Sequence, residues 1–572
     1  MTQRERLDAA IDALLAEAAG AGPGAAMAAR RAAALTEGQG GPKALRAFSL
    51  AVRHDPLDAF PRLALARLHA EAGDLDAARR EAAAVLADAI DEAARARAAF
   101  ILGELARVRG AAAEARDAYA AAARIEDALL SANPTDATAA RWYARALGRL
   151  SELDAPEQPE KARTGAEGAL SILRALTAQI GEPPPLAADI ADAEFRYAAL
   201  LLDEGHAAPA RLHTLEATGR YEALILLEPN EPHWRAALAE AWTLCAEAAF
   251  QSNAPDAARE AIDKALRLRL KLADADPNEA WALAGLWRAR AALLAALGDK
   301  SAAADSALQA VALCKRLHGE APGDPAGARF LLHALLEQSD LALAQGALAT
   351  AEDAATQARD LAERFAQAPN AAAHWTADCA TAWDRLAHVA LSTRASAEAK
   401  EAFAKAIALR RRAREAAPED DNAKRALARA LLRSGEVALA SRAHPAALAA
   451  FSEAFQLRLE LAEAAPGAME PARELAVALE RLGLSAAADG DAQGARAVWE
   501  EELALVERVY EDPSDIEGQR FRAVIEAHLA SLGGPDSAVR RASALARLDI
   551  MAEDGLLTPR DVQLRQSLWK TG

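Results

Sequence analysis

A small-bulky-small pattern recurs at one fixed interval: Ala303/Ala307/Ala310, Ala351/Ala355/Ala358, Ala399/Phe403/Ala406, Ala447/Phe451/Ala454 and Ala495/Trp499/Glu502. Trp287, Leu335, Trp383, Leu431 and Leu479 advance at the same interval, each standing a constant distance ahead of a first alanine. A period of this length implies stacked supersecondary units, because one unit cannot bury its apolar face without the next. Two phased apolar stripes per period imply two helices per unit.

Bulk properties agree with one repeated architecture. Of 572 residues, 52% are hydrophobic and only 4% aromatic, with alanine abundant, as suits closely spaced helices. The net charge of −18 argues against binding to phosphate backbones, which requires Lys and Arg to neutralise them. Cys245, Cys314 and Cys379 form no CxxC pair, which fits a reducing compartment. The N-terminal stretch from Met1 to Ala18 interleaves Arg4, Glu5, Arg6, Asp8, Asp12 and Glu17 with apolar residues and reads as an amphipathic helix, not a signal peptide. No apolar run is long enough to span a bilayer. The expected location is the cytoplasm.

Prolines punctuate the array. Pro277, Pro322, Pro369, Pro418, Pro466 and Pro513 each follow a long apolar helix, where proline ends one helix and begins the next connection. Ala265, Ala310, Ala406 and Ala454 precede their prolines by one constant offset, and Leu268, Leu313, Leu409 and Leu457 follow those alanines at i+3, which places both sets on one helical face. Turn-prone residues at Gly298-Asp299, Gly346, Asn253-Ala-Pro255, His444-Pro445 and Gly490-Asp491 separate the two helices of a unit and predict antiparallel hairpins.

Leu479, Leu482-Gly483, Ala486, Gly490-Asp491, Ala495 and Trp499 together resemble the helix A, turn and helix B core of the tetratricopeptide repeat. Ala44, Phe48, Ala51 and Pro56, then Leu65, Gly73, Ala78, Ala82 and Val85, then Leu102, Gly103, Gly110, Ala115, Tyr119 and Ala122 carry the same pattern at the family's ordinary length. Later units are longer, similar to repeats of kinesin-light-chain-like proteins and of bacterial arrays beside kinase, nucleotide-switch or caspase-like domains. The excess of about 14 residues lies around the proline and lengthens each helix by roughly 10 Å. The resemblance implies an all-α fold, a right-handed superhelical solenoid of antiparallel helix pairs with about 12 repeats. Residues 1–20 read as an N-terminal capping helix and 21–134 as standard-length repeats. Residues 135–229 read as irregular, hinge-like repeats around Pro156-Glu-Gln-Pro159 and Gly181-Glu-Pro-Pro-Pro185; 230–550 read as extended repeats and 551–572 as a C-terminal cap or tail.

Catalytic and cofactor chemistry finds little purchase. Gly20, Gly22 and Gly24 lack the strand-before, helix-after context of a dinucleotide loop, and no phosphate-loop motif is present. Cys314 and His318 share a helical face, but no further ligand completes a metal set. Cys379 with His374 or His388 would need a supporting third group and a pocket to act as nucleophile and base. No cofactor or metal is expected, and the chain reads as a non-enzyme. Trp242, Trp287 and Trp383 sit on the lattice as wedges between helices; Trp142, Trp234, Trp281 and Trp375 begin the extended helix A, where packing is the plainer reading. Arg410-Arg-Arg412 reads as a solvated face.

In the resembling family the concave wall is formed by helix A. Removing lattice positions leaves Glu240, Thr243, Glu247, Arg288, His333, Asp340, Asp384, His388, Arg429, Glu436 and Glu480 as candidate lining residues. The set leans acidic, and Asp384 with His388, beside Asp340 and Glu436, would suit a basic partner segment. Ordinary solvated polar residues are the plainer alternative. The resemblance thus implies a scaffold or adaptor that captures a partner peptide or helix, without nucleic acid or membrane insertion. The alternative is a sensor that binds a peptide or small-molecule signal and controls a separately encoded kinase, protease or transcription factor.

Overall fold

The computed structural model describes residues 3–20, 24–37, 41–368, 372–512 and 514–570. Pro369, Pro513 and Gly22 lie outside them. The described residues are helical with no strand. The chain divides into two units, 1–293 and 294–572. The first holds α1 (Gln3–Ala18), α2 (Ala25–Thr36), α3 (Gly41–His54), α4 (Ala59–Glu71), α5 (Leu75–Asp88), α6 (Glu92–Val108), α7 (Ala112–Ala132), α8 (Ala137–Asp154), α9 (Pro159–Ile180), α10 (Pro184–Asp203), α11 (Ala207–Leu227), α12 (Pro232–Gln251) and α13 (Pro255–Ala275). The division falls within α14 (Ala280–Ala296). The second unit holds α15 (Lys300–Glu320), α16 (Pro325–Ala344), α17 (Leu348–Ala366), α18 (His374–Ser392), α19 (Ser396–Ala416), α20 (Asp421–Ala440), α21 (His444–Ala464), α22 (Met469–Ala488), α23 (Ala492–Val509), α24 (Ile516–Ser531), α25 (Ser537–Glu553) and α26 (Pro559–Lys570).

Within each unit successive helices pack on one another, α1 through α13 in the first and α15 through α26 in the second, which is the contact pattern of a helical solenoid. In chain order α2 to α25 alternate as helix A (even) and helix B (odd), in keeping with the dozen or so repeats that the lattice implies, with α1 and α26 at the two ends. Apart from α1 with α3 at the N-terminal end, contacts that skip a helix join even-numbered partners: α4 with α6, α6 with α8, α8 with α10 and α10 with α12 in the first unit, and α16 with α18, α20 with α22 and α24 with α26 in the second. The helix A layer is therefore the tighter one, as on the inner side of a curved stack.

The lattice residues form the core between hairpins. Ala303, Ala351, Ala399, Ala447 and Ala495 are all fully buried, as are Phe403 and Phe451. Where helix B carries a bulky residue, helix A carries a small one opposite. A Cβ on Gly103 would meet the Tyr119 ring at 2.6 Å, one on Gly435 the Phe451 ring at 2.5 Å, and one on Gly483 would collide with the Trp499 indole.

Two kinds of connection alternate. Between repeats, a proline turn closes by a backbone hydrogen bond and its last residue then caps the next helix. Asp324 N donates to the Ala321 carbonyl at 3.1 Å, and its carboxylate accepts from the amides of Ala326 and Gly327; Asp136 and Asp420 repeat the device. Within a repeat, helix A ends in a left-handed residue and a six-to-one backbone bond, such as Ala347 N to Ala342 O at 2.8 Å and Asp491 N to Ala486 O at 2.9 Å. Gly298, Gly346, Gly490 and Asn253 take the positive φ at the expected turns. At His444-Pro445 the left-handed residue is instead Arg442 (φ 57°), and Arg394 (φ 60°) serves the turn before α19.

Helix lengths sharpen the expected boundaries. Helices α2 and α5 have 12 and 14 residues, whereas the shortest and longest of α6 to α25 have 16 and 22. Lengthening is already present in α7, at 21 residues inside the stretch expected to be standard. The stretch expected to be irregular, 135–229, contains four helices of 18 to 22 residues. Pro159 opens α9, and Pro183 and Pro184 lie at the cap and first position of α10. Proline there costs no helical hydrogen bond and presets φ. A proline cluster marks a helix start as readily as a break.

Candidate functional site

The polar face of helix A carries two tracks of ion pairs between successive A helices. On one, an arginine reaches forward to an acid of the next A helix. Arg141 meets Asp189 at 2.6 Å, Arg329 meets Asp378 at 2.9 Å, Arg425 meets Glu474 at 3.5 Å, Arg520 meets Asp561 at 2.8 Å, and Arg473 pairs with Glu517. On the other, an arginine reaches back. Arg149 meets Glu104 at 2.6 Å, Arg196 meets Glu152 at 2.5 Å, Arg385 meets Asp340 at 2.6 Å and Arg481 meets Glu436 at 2.9 Å. Burial alone would raise the Glu104 carboxyl, but Arg149, Tyr119 and Arg107 outweigh it and hold it below the usual range.

The expected lining residues fall into this scheme as follows. The Asp340 carboxylate keeps part of its surface open to solvent and pairs with Arg385, but the desolvation it does suffer outweighs Arg385 and raises its carboxyl. Asp384 pairs with Arg410 of α19, and His388 Nδ1 lies 2.8 Å from the Asp384 carbonyl with its ring edge-on to Phe403. Glu436 is held by Arg481 and, at 3.2 Å, by Arg433. Glu480 is buried and faces Arg481, Arg560 and His528 at 3.2, 3.4 and 3.6 Å. Glu240 meets Arg269 at 2.9 Å, and the Thr243 hydroxyl donates to the Ala239 carbonyl. Glu247 and Arg429 are exposed, while Arg288 and His333 are half-buried. Asp340, Asp384 and His388 therefore do share one neighbourhood, together with Arg385 and Arg410. The acidic lean of the set is not a field of free carboxylates, because Asp340, Asp384, Glu436 and Glu480 are neutralised within the chain.

The arginines of these tracks were legible but unread in the sequence. Arg385 and Arg481 stand two intervals of the apolar lattice apart, and Arg329, Arg425 and Arg473 keep a second register of it. A search for recurring charges, beside recurring apolar residues, would have found both tracks.

Other candidates resolve into packing. Trp383 is held between Lys405 Nζ at 4.2 Å and the Arg359 guanidinium at 5.2 Å from its ring centroid, and it donates Nε1 to Glu363 at 3.1 Å. Trp242 lies under Lys264 at 4.1 Å. Trp375 is buried and stacks on Phe365 at 4.7 Å. All three cysteines are buried, and none is joined in a disulfide. Burial pushes the Cys379 thiol up to about 11, with the Glu363 and Asp378 charges adding to it, so at neutral pH it is a thiol and a poor nucleophile. Among the described residues no group of three or more His, Cys, Asp or Glu side chains could hold a metal, and no helix is long and apolar enough to cross a membrane.

An open groove of roughly 1230 Å³ lies between α18 and α20, with α19 as its floor and the end of α17 at its edge. Alanines including Ala408, Ala413 and Ala416 form the floor, and Lys405, Arg410, Arg412 and Arg429 rim it. Arg429 was singled out from the sequence; Arg412 was assigned to a solvated outer face.

No family model matches the chain, and no curated protein matches it. Among solved structures it is similar to BtubC (BKLC) from P. vanneervenii, with 17% identity over 46% of this chain and 90% of that one and a TM-score of 0.33. It is also similar to the apo form of RapI, with 9% identity over 71% of this chain and 98% of that one and a TM-score of 0.47.

Proposed function

We propose that the chain is a non-enzymatic scaffold of tetratricopeptide-repeat type whose helix A layer holds a segment of a protein partner. The observation that supports this most is the layer itself. Most of its A helices touch a neighbouring A helix directly and present a polar face pinned by the two ion-pair tracks. A surface whose charges are tied to one another is stiff and pre-organised, which lowers the ordering cost of docking. The elevated Cys379 thiol supports a binding role over nucleophilic chemistry. Three buried cysteines without a disulfide suit the cytoplasm.

The test is site-specific photo-crosslinking in cells, with the crosslinker in the full chain at Glu247 of α12 or Arg433 of α20, and at Lys271 of α13 or Lys400 of α19 as helix B controls. The expected result is one protein crosslinked in defined adducts from the helix A positions. Crosslinks confined to the helix B positions, or none above background at any of the four, would rule the scaffold reading out.

A further inference from the structure

We propose that the groove between α18 and α20 is the docking site of an acidic amphipathic helix from a protein partner, an inference that rests on the scaffold reading and names the partner's chemistry. Charge is the first argument. In a chain of net charge −18, four cations rim this groove against two carboxylates, Glu363 and Asp420; Arg410 is paired with Asp384 and Lys405 with Glu401, so the charge offered to a partner is that of Arg412 and Arg429. Both carboxylates are engaged, Glu363 by the Trp383 indole and Asp420 by the amide of Asn422 that it caps. Arg412 and Arg429 are both exposed, one on α19 and one on α20.

The floor is the second argument. Ala408, Ala413 and Ala416 lie along α19, and Ala423 and Ala426 continue the small-residue surface onto α20. Side chains this short let another helix, about 10–12 Å across, approach closely with its apolar face down. Its flanking carboxylates would then meet Arg412 and Arg429 as charge-assisted pairs. A nucleic-acid strand fits less well. The one indole in the groove, Trp383, is occupied on its face by Lys405 and by Arg359, and the net charge of the chain repels phosphates at range.

Fluorescence anisotropy on the full chain tests this with three labelled probes: an amphipathic helix about 20 residues long with leucines on one face and glutamates on the other, the same helix with lysines for glutamates, and a single-stranded oligothymidylate. The glutamate helix is expected to bind saturably, and the lysine helix not to bind. Arg412→Glu with Arg429→Glu is expected to weaken the glutamate helix by about tenfold or more, and Ala408→Trp, which fills the floor without changing charge, to weaken it comparably. Glutamate-helix binding unchanged in both variants, equal binding of the lysine helix, or oligothymidylate binding that depends on Arg412 and Arg429 would each overturn the proposal. Helix A crosslinks retained in the R412E/R429E chain would remove the groove and leave the scaffold standing; their absence in the unaltered chain would remove the scaffold itself.

Discussion

At the scale of single residues, the repeat tolerates substitution only where the partner across the hairpin adjusts. Gly483 exists because Trp499 occupies the space its Cβ would need. Gly483→Ala is expected to destabilise the second unit by about 1–3 kcal/mol through overpacking, read as a lower urea midpoint, and Trp499→Phe should recover part of it. Glu502 stands where the preceding repeats carry Ala310, Ala358, Ala406 and Ala454. Burial, with the nearby Glu480 charge adding to it and Arg481 opposing, pushes its carboxyl up to about 9. A carboxyl whose folded pKa is raised binds more protons folded than unfolded, so stability falls as pH rises from the ordinary carboxylate range, about 4.3, towards 9 and is then constant. Glu502→Gln is expected to remove that slope; identical pH–stability profiles for the two proteins between pH 5 and 9 would contradict it. The small-bulky exchange at Gly483 was legible from the sequence. The protonation of Glu502 was not, because burial of that one lattice position depends on what α22 and α24 place around it.

At the scale of elements, helices are delimited by local chemistry and tied together by charge. The proline turn with its terminal aspartate both stops helix B and caps the next helix A, which is why proline spacing in the sequence located the connections so well. Asp324→Ala leaves the amides of Ala326 and Gly327 without their acceptor and is expected to cost about 1 kcal/mol, measurable as a lower denaturation midpoint. The ion pairs are a different matter. Arg481 and Glu436 are partly shielded rather than buried, and a double-mutant cycle between them is expected to give a coupling of about 0.5–1 kcal/mol that shrinks in high salt. A coupling of zero would mean that the tracks are incidental surface pairs. Sequence periodicity showed which arginines are equivalent but not which carboxylate each one reaches. A long side chain selects its partner across the gap between repeats, and that gap is a tertiary quantity.

At the scale of the whole molecule, stability is spread over nearest-neighbour interfaces, so a local lesion should stay local. In hydrogen exchange, Gly483→Ala is expected to raise exchange in α20 to α24 while α2 to α10 keep their protection; uniform loss of protection along the chain would mean that the array unfolds as one cooperative body. The sequence by itself determined the helical hairpin, its period, its turns and its small-residue core, because each follows from backbone propensity and from which face must be dry. Only the tertiary structure decided which charges are available to a partner. It paired the acids that composition offered as a docking wall, and it left cations on the rim of a groove that no run of residues announces, since whether a charge is free depends on the side chains packed beside it and those come from repeats far apart along the chain.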